Sequence, residues 1–293
     1  MLYAIASAQT GTGKTAVLVA LAQLLAERSG TPPRLQRIEG DTGAAADART
    51  LSTLGGSGQT EAPSSAEVVT LTELPAGQSA PQEAMIIGVA RCNGTLTADL
   101  SRLATAHGQA LTGVVLTFVP EKDRESLATV VQEAGVRLLG LLPEDRLLAS
   151  PTLAEVVDAV EARTVQAAGQ EQRVLDRIFI SSISADPNQG YVARLNPTAL
   201  VVRSDKPDQQ LAALYAGVPS LIISGTVPIL PYVLERAEED GTPLLLTALN
   251  TADVVRRIEQ LYGRSRFGGA EKVQRSREII EDRGLLETLL AVR

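Results

Sequence analysis

The sequence is poor in the residues that build disulfides, metal centres and nucleic-acid interfaces. Its 293 residues contain one cysteine, Cys92, and one histidine, His107. A single cysteine excludes an internal disulfide and a cysteine-based zinc site, and it fits a reducing, cytoplasmic compartment. A single histidine excludes a multi-histidine metal centre. Three Phe, five Tyr and no Trp leave few rings on which bases could stack.

Basic charge and long apolar runs are scarce as well. The net charge of −7 argues against a nucleic-acid partner, whose binding needs a basic surface. No apolar run reaches the roughly 18 residues of a membrane helix, and residues 1–7 lack the basic start of a signal peptide. With 44% hydrophobic and 21% charged residues, the chain can bury a core. These features predict a cytoplasmic protein with neither a nucleic-acid nor a membrane partner.

Strands and helices alternate along the chain, which is typical of parallel βαβ units in a doubly wound α/β sheet. A strand at Tyr3–Ser7 precedes a helix at Thr15–Glu27. Residues 55–83 are predicted to form a long surface loop with one short strand at Val68–Leu71. A helix is expected over Thr152–Ala168, where the first domain ends, so we predict domains at 1–168 and 177–293.

The sharpest motif lies between the first strand and the first helix. It differs from the phosphate-loop pattern G-x-x-x-x-G-K-[ST] only in having Ala8 as its first residue. In such a loop, backbone N–H groups surround phosphate oxygens, a lysine approaches the β and γ phosphates, and the Thr hydroxyl binds Mg²⁺. The predicted nucleotide-binding residues are Thr10, Gly11, Thr12, Gly13, Lys14, Thr15 and Ala16. The alternative is a glycine-rich turn that holds no nucleotide.

A catalytic phosphate-loop protein also needs an acidic residue at the end of another strand. The strand Met85–Ala90 ends without one, which weakens the prediction of an enzyme. Thr15, Asp41 and Asp47 are therefore the candidate metal ligands. The alternative for the two aspartates is that they are solvated loop residues, with Asp47 starting a helix.

A second candidate site lies in the second domain, where two loops follow parallel strands at one sheet edge. Hydroxyl and charged groups on these loops could bind a small anion or a nucleotide. The alternative is helix capping, by Asp205 or Ser204 before a helix that starts at Pro207 and by Thr226 before a helix that starts at Pro228. The candidate residues are Arg203, Ser204, Asp205, Ser224, Gly225 and Thr226.

Three further groups have ordinary explanations. His107 is predicted to support a helix C-terminus, and Cys92 to be an inert thiol. The segment Glu144–Arg146 could contact a base or ribose, or be a solvated loop.

These features together resemble the N-terminal region of long phosphotransacetylases. The phosphate loop is similar to that of the dethiobiotin synthetase and cobyrinic acid diamide synthase group, residues 139–155 resemble the end of that domain, and residues 177–290 resemble a DRTGG domain. The resemblance implies a phosphate-loop NTPase-like, mostly parallel sheet followed by a smaller α/β domain. The resemblance does not extend to the acetyltransferase domain of those enzymes, so acetyl transfer is not predicted. The defining Asp-Arg and Thr-Gly-Gly are replaced by Asp205-Lys206 and Ser224-Gly225-Thr226, and the acid of the synthetase group's third strand is missing near Gly88.

The favoured hypothesis is a regulatory or sensor protein that binds ATP or ADP with Mg²⁺. The resemblance implies a homodimer, for which apolar residues of a tail helix at 271–290 are available, and an unidentified protein partner is allowed. One alternative is an ATP-dependent ligase or amidotransferase-type synthetase. The other is a non-catalytic scaffold with a vestigial phosphate loop.

Overall fold

The structure is a computed structural model that describes residues 2–38, 69–78, 80, 83–181 and 191–292. The chain forms two compact units. The first comprises Met1–Leu148 and Phe267–Arg293, and the second comprises Ala149–Arg266. This division differs from the expected domains at 1–168 and 177–293 because the chain returns to the first unit after leaving the second.

A six-stranded parallel sheet forms the centre of the first unit, as predicted. Its strand order is β2-β3-β1-β4-β5-β6, and every neighbouring pair is parallel. The strands are β1 (Leu2–Ala6), β2 (Arg34–Arg37), β3 (Thr70–Glu73), β4 (Met85–Arg91), β5 (Leu111–Val119) and β6 (Leu138–Pro143).

Alternating residues of β1 direct apolar side chains to the two faces of this sheet. Tyr3 and Ile5 pack into one core, and Ala4 and Ala6 pack into the other. The helices of this unit are α1 (Lys14–Ser29), α2 (Leu96–His107), α3 (Arg124–Glu133), α10 (Ala270–Asp282) and α11 (Leu285–Leu290), and α4 (Arg146–Ala149) reaches the unit boundary.

The C-terminal tail completes the core of the first unit. Helices α10 and α11 bury their apolar residues in the cluster that also contains the buried face of α1. This differs from the sequence-based assignment of the tail to the second domain, and these side chains are not available for a dimer interface. The buried tail residues are Val273, Ile279, Ile280, Leu285, Leu286 and Leu289.

The second unit contains a five-stranded sheet with the order β7-β11-β10-β9-β8. Strands β8 to β11 are parallel, and β7 pairs antiparallel with β11 at the edge. The strands are β7 (Arg163–Val165), β8 (Ile178–Ile180), β9 (Ala199–Arg203), β10 (Leu221–Ser224) and β11 (Leu244–Thr247). The predicted βαβαβα order is thus confirmed.

Helices cover both faces of this second sheet. They are α5 (Leu153–Ala159), α6 (Tyr191–Leu195), α7 (Pro207–Tyr215), α8 (Pro231–Asp240) and α9 (Thr251–Glu259). The predicted helix over Thr152–Ala168 is wrong in its second half, because Glu161 has a φ of 53° and β7 follows. No helix in the described ranges is long and apolar enough to cross a membrane.

Candidate phosphate-binding site

The loop between β1 and α1 has the backbone shape that its glycines allow. Gly11 and Gly13 have φ angles of 68° and 88°, in the left-handed region that favours glycine. Ala8 does not have a positive φ, so an alanine can stand where the phosphate-loop pattern has its first glycine. Gly13 is the N-cap of α1, and the first turn of that helix carries no acidic residue. The N–H groups at this end can therefore attract an anion.

The functional side chains of the loop are held in place and buried. Thr12, Lys14 and Thr15 are each less than a tenth exposed. The Thr117 hydroxyl on β5 donates to the Thr12 carbonyl at 2.8 Å. The Thr12 hydroxyl itself is buried and has no hydrogen-bond partner among the described residues. Because buried polar groups are nearly always paired, this hydroxyl is a group that a bound phosphate could satisfy.

A buried carboxylate lies beside Thr15. Glu73, the last residue of β3, accepts from the Thr15 hydroxyl at 3.2 and 3.0 Å through its two oxygens, and Arg37 Nη1 lies 3.2 Å from Glu73 Oε1. The side chains of both Arg37 and Glu73 are less than a tenth exposed. A hydroxyl, a carboxylate and a guanidinium thus meet at the start of α1.

Glu73 corrects the expectation that no acidic residue ends a strand near the phosphate loop. That expectation considered the strand Met85–Ala90, which is β4. It placed a short strand at Val68–Leu71 within a surface loop, and this strand overlaps β3 but ends before Glu73. In the sheet, β3 lies between β1 and β2, so its last residue reaches the loop that follows β1. The sequence signal that could have identified this acid was the short apolar run before Thr72-Glu73. Asp41 and Asp47, the other predicted metal ligands, lie outside the described residues.

Helix α2 anchors the other side of the loop. Gln9 Nε2 donates to the Thr95 hydroxyl at 3.1 Å and to Asp99 Oδ1 at 3.0 Å. Asp99 is buried and also accepts from the Thr95 hydroxyl at 2.9 Å, and Arg102 lies 3.5 Å away. This network ties the exposed middle of the loop to a helix that packs on the same sheet, which limits its motion.

The same sheet edge carries a strained aromatic residue. Phe118, near the end of β5, has a φ of 54°, which is unusual for a bulky residue. The Arg91 guanidinium lies 3.7 Å from the centre of its ring. Backbone strain of this kind concentrates at functional sites.

The surroundings of the remaining titratable candidates indicate structural roles. Burial, followed by the Asp123 charge, raises the pKa of the Cys92 thiol, which disfavours the reactive thiolate. Burial lowers the pKa of His107, the last residue of α2. Asp145 accepts from Arg275 Nε at 2.8 Å and from the Leu148 N–H at 3.1 Å. It therefore anchors α10 and starts α4.

The second predicted site is assembled as expected, but its groups already bind one another. Arg203 Nε donates to Asp205 Oδ1 at 2.9 Å, and the Ser204 hydroxyl accepts from the Val227 N–H at 3.2 Å. The Ser224 and Thr251 hydroxyls lie 2.8 Å apart. Strands β9 and β10 thus place the two predicted loops side by side, with Thr226 exposed.

The capping alternative is confirmed in that Pro207 begins α7, but it is wrong about the capping residues and about Pro228. The N-cap of α7 is Lys206, which makes no side-chain capping hydrogen bond. Helix α8 begins at Pro231 rather than at Pro228. The loop after β9 is instead held by Gln210, whose Nε2 donates to the carbonyls of Arg203 and Ser204 at 2.8 and 3.2 Å.

Comparison with protein families identifies both parts of the chain. Residues 3–154 match the CobQ/CobB/MinD/ParA nucleotide binding domain, and residues 155–261 match the DRTGG domain. The boundary between the matches agrees more closely with the two compact units than with the domains expected from the sequence.

The curated relatives are phosphate acetyltransferases. The chain is 27% identical to that of Nitrosomonas europaea over 186 residues, which are 58% of this chain and 26% of the relative. It is 30% identical to that of Pseudomonas aeruginosa over 154 residues, which are 49% of this chain and 21% of the relative. The chain therefore spans about a quarter of each relative, as the resemblance to their N-terminal region predicted.

One solved structure is similar in part. It contains the CBS and DRTGG domains of the regulatory region of Clostridium perfringens pyrophosphatase, in complex with the activator diadenosine tetraphosphate. The identity is 15%, the match covers 41% of this chain and 52% of the other, and the TM-score is 0.34. A similarity this low carries no argument about a ligand.

Proposed function

The chain belongs to the CobQ/CobB/MinD/ParA nucleotide-binding domain family, and on this premise we propose that it is a regulatory protein that binds ATP or ADP with Mg²⁺ at its phosphate loop. The observation that carries the proposal is the contact between Thr15 and the buried carboxylate of Glu73. If the loop were only a structural turn, it would not need a buried carboxylate at that position.

The loop residues divide the binding of a nucleotide between them. The N–H groups from Gly11 to Thr15 and the Thr12 hydroxyl would donate to phosphate oxygens. Lys14 would add positive charge at the outer phosphates. The bond from Thr117 keeps the loop in its binding shape, which reduces the entropy lost on binding.

The residues near Thr15 fit Mg²⁺. The ion prefers oxygen ligands and is usually held by one or two protein groups together with water and phosphate. The Thr15 hydroxyl and Glu73 offer such a pair, and no larger cluster of His, Cys, Asp or Glu occurs in the described part of the chain. When bound, Mg²⁺ would neutralise phosphate charge. Arg37 pairs with the same carboxylate, so metal binding would compete with that ion pair.

A second candidate function is an ATP-dependent ligase or amidotransferase-type synthetase. Glu73 favours it, because this residue is the acidic group that a catalytic phosphate loop requires. Arg37 would then be close enough to the site to act on a transferred group. This candidate predicts ATP turnover that a second substrate stimulates and that Lys14→Ala abolishes.

We further propose a sensing role for the second unit and a homodimer in the cytoplasm. Because the tail helices are buried, the dimer surface would lie on the second unit. Exposed apolar side chains occur there at Val227, Leu230 and Tyr232, and tyrosine is common in interfaces. An unidentified protein partner is the alternative occupant of this surface. Sedimentation analysis of the full chain distinguishes the two.

The test of nucleotide binding is a thermal-shift panel with and without Mg²⁺. A ligand at 100 times its Kd adds about 2.7 kcal/mol, which corresponds to a rise in Tm of roughly 5–10 °C for a unit of this size. Lys14→Ala should abolish the rise, and Glu73→Gln should remove the additional rise that Mg²⁺ provides. Lys206→Ala is the matched control, because Lys206 is exposed in the second unit.

The outcomes separate the three functions. A nucleotide shift without ATP hydrolysis supports the regulatory protein. Hydrolysis that Lys14→Ala abolishes supports the ligase. No shift with any nucleotide at millimolar concentration would overturn both and leave the scaffold with a vestigial loop.

A further inference from the structure

The second unit contains a cavity away from its predicted site. The cavity measures about 420 Å³, and its lining includes Arg173, Tyr215, Arg236 and Thr242. It lies where α7 and α8 end and where β10 and β11 begin. The predicted loops lie at the opposite, carboxyl ends of the strands. A volume in this range is typical of sites for small molecules.

The cavity is open because two helices end beside it. Helices α7 and α8 are followed by Gly217 and Gly241, whose φ angles of 70° and 63° turn the chain away. Helix C-termini carry partial negative charge and favour cations. Two arginines, Arg173 and Arg236, line the cavity beside these helix ends, together with the Asp240 carboxylate that pairs with Arg236.

Arg236 is held by neighbours but has one unused donor. Its Nη2 lies 2.8 Å from Asp240, and its Nη1 lies 3.4 Å from Glu239. Its guanidinium lies 4.9 Å from the centre of the Tyr215 ring. Its Nε is buried and has no partner within the described ranges. The ion pairs therefore orient this side chain and balance its charge.

Arg173 lacks such a balance. Its Nη1 donates to the Pro219 carbonyl at 2.8 Å. In the part of the chain that the structure describes, no carboxylate lies within ion-pair distance of this guanidinium. Arg173 therefore contributes a positive charge and spare N–H donors to the cavity, which Thr242 also lines.

The rim of the cavity adds an apolar surface. Tyr215 is 61% exposed, so its ring has a large area open to solvent beside Arg236. Leu214 and Val218 extend this wall inward. A charged wall and an aromatic rim favour a ligand with an oxyanion at one end and an apolar body at the other.

We propose that this cavity binds a small organic anion, a carboxylate or a phosphate ester, whose oxyanion pairs with Arg173 and Thr242 and whose apolar body lies against Tyr215. The proposal rests on the proposed function only for the sensing role of the second unit, because the cavity lies wholly within that unit and does not involve Lys14.

The test is a titration of the full-length protein, labelled with ¹⁵N, while the arginine Nε–H signals are observed by NMR. The probes are phenyl phosphate and benzoate, with benzyl alcohol as the uncharged counterpart. The signals of Arg173 and Arg236, assigned by substitution, should shift with one or both anions and not with the alcohol. A shift with one anion alone identifies the oxyanion that the cavity prefers.

Substitutions test whether the probe binds in this cavity. Arg173→Gln should weaken the binding of the probe about tenfold to a hundredfold, the effect of losing one charge-assisted hydrogen bond. Arg173→Lys, which keeps the charge, should recover part of it. Arg256→Gln is the control, because Arg256 is an exposed arginine on α9 that does not line the cavity, and it should bind as the parent does.

Three results would overturn the proposal: no shift with either anion at millimolar concentration, undiminished binding by Arg173→Gln, or loss of binding in Lys14→Ala. The last result would place the probe at the phosphate loop. If nucleotides fail to bind while the probe binds through Arg173, the proposed function fails and the proposal about the cavity stands.

Discussion

Both units place loops at the carboxyl ends of parallel strands, but the polar groups of these loops differ in burial and in pairing. In the first unit, the buried Thr12 hydroxyl has no partner among the described residues, and Glu73 and Arg37 form a buried ion pair at Thr15. In the second unit, Arg203 and Asp205 pair in solvent, and Ser204 binds a backbone N–H. The carboxyl end of a parallel sheet is therefore a place where a site can form. The two edges differ in where their carboxylates lie: Glu73 is buried beside the phosphate loop, whereas Asp205 is partly exposed in its pair with Arg203.

The largest expected effect on this contrast comes from removing one carboxylate at each sheet edge. Glu73→Ala leaves Arg37 buried without that partner, and loss of one member of a buried pair costs about 3–5 kcal/mol. Asp205→Ala removes an exposed pair and should cost less than about 1 kcal/mol. Urea unfolding followed by hydrogen exchange in each unit measures both. Equal losses would show that the two edges do not differ.

A second prediction concerns the cores beneath the edges. Ile280→Ala should lower the free energy of unfolding of the first unit by about 2–5 kcal/mol, because it opens a cavity in a buried cluster. Hydrogen exchange should accelerate in β1 and β4 and remain unchanged in β9 to β11. Faster exchange in the second unit alone would contradict the assignment of the tail to the first.

A third prediction separates effects on stability from effects on nucleotide binding. Ser204→Ala removes the bond to the Val227 N–H and should cost about 1 kcal/mol, without changing nucleotide affinity. Thr12→Ala should change stability little, because its hydroxyl has no partner among the described residues, and it should weaken nucleotide binding. Thermal shifts measured with and without ADP check both. Weaker binding in Ser204→Ala but not in Thr12→Ala would reverse the roles of the edges.

The smallest expected effect is a dependence on pH. Burial lowers the pKa of His107 in the folded first unit, so the unfolded state binds more protons below about pH 6.5. The stability of the first unit should therefore fall as the pH drops through that range. The second unit has no histidine. His107→Gln should reduce the slope for the first unit, and an unchanged slope would assign it to other groups.

Local patterns accounted for much of the fold. Glycines, a lysine and the apolar run after them predicted the phosphate loop between β1 and α1, and short apolar strands predicted β9 to β11. The error at residues 160–168 arose from a polar segment in which Glu161 takes a positive φ and the chain turns into β7. Sequence propensity for helix does not record such a turn, because a pairing with β11 stabilises it.

By itself, the sequence determined the class of fold, the position of the phosphate loop and the absence of disulfides, because these depend on neighbouring residues and on composition. Only the tertiary structure decided that Glu73 is the acid beside Thr15, that the tail completes the first core, and that Arg203 and Asp205 of the second edge pair with each other. Each of these depends on strand order or on contacts between residues far apart in the chain. In this sheet the third strand lies beside the first, and no local pattern of residues specifies that neighbour.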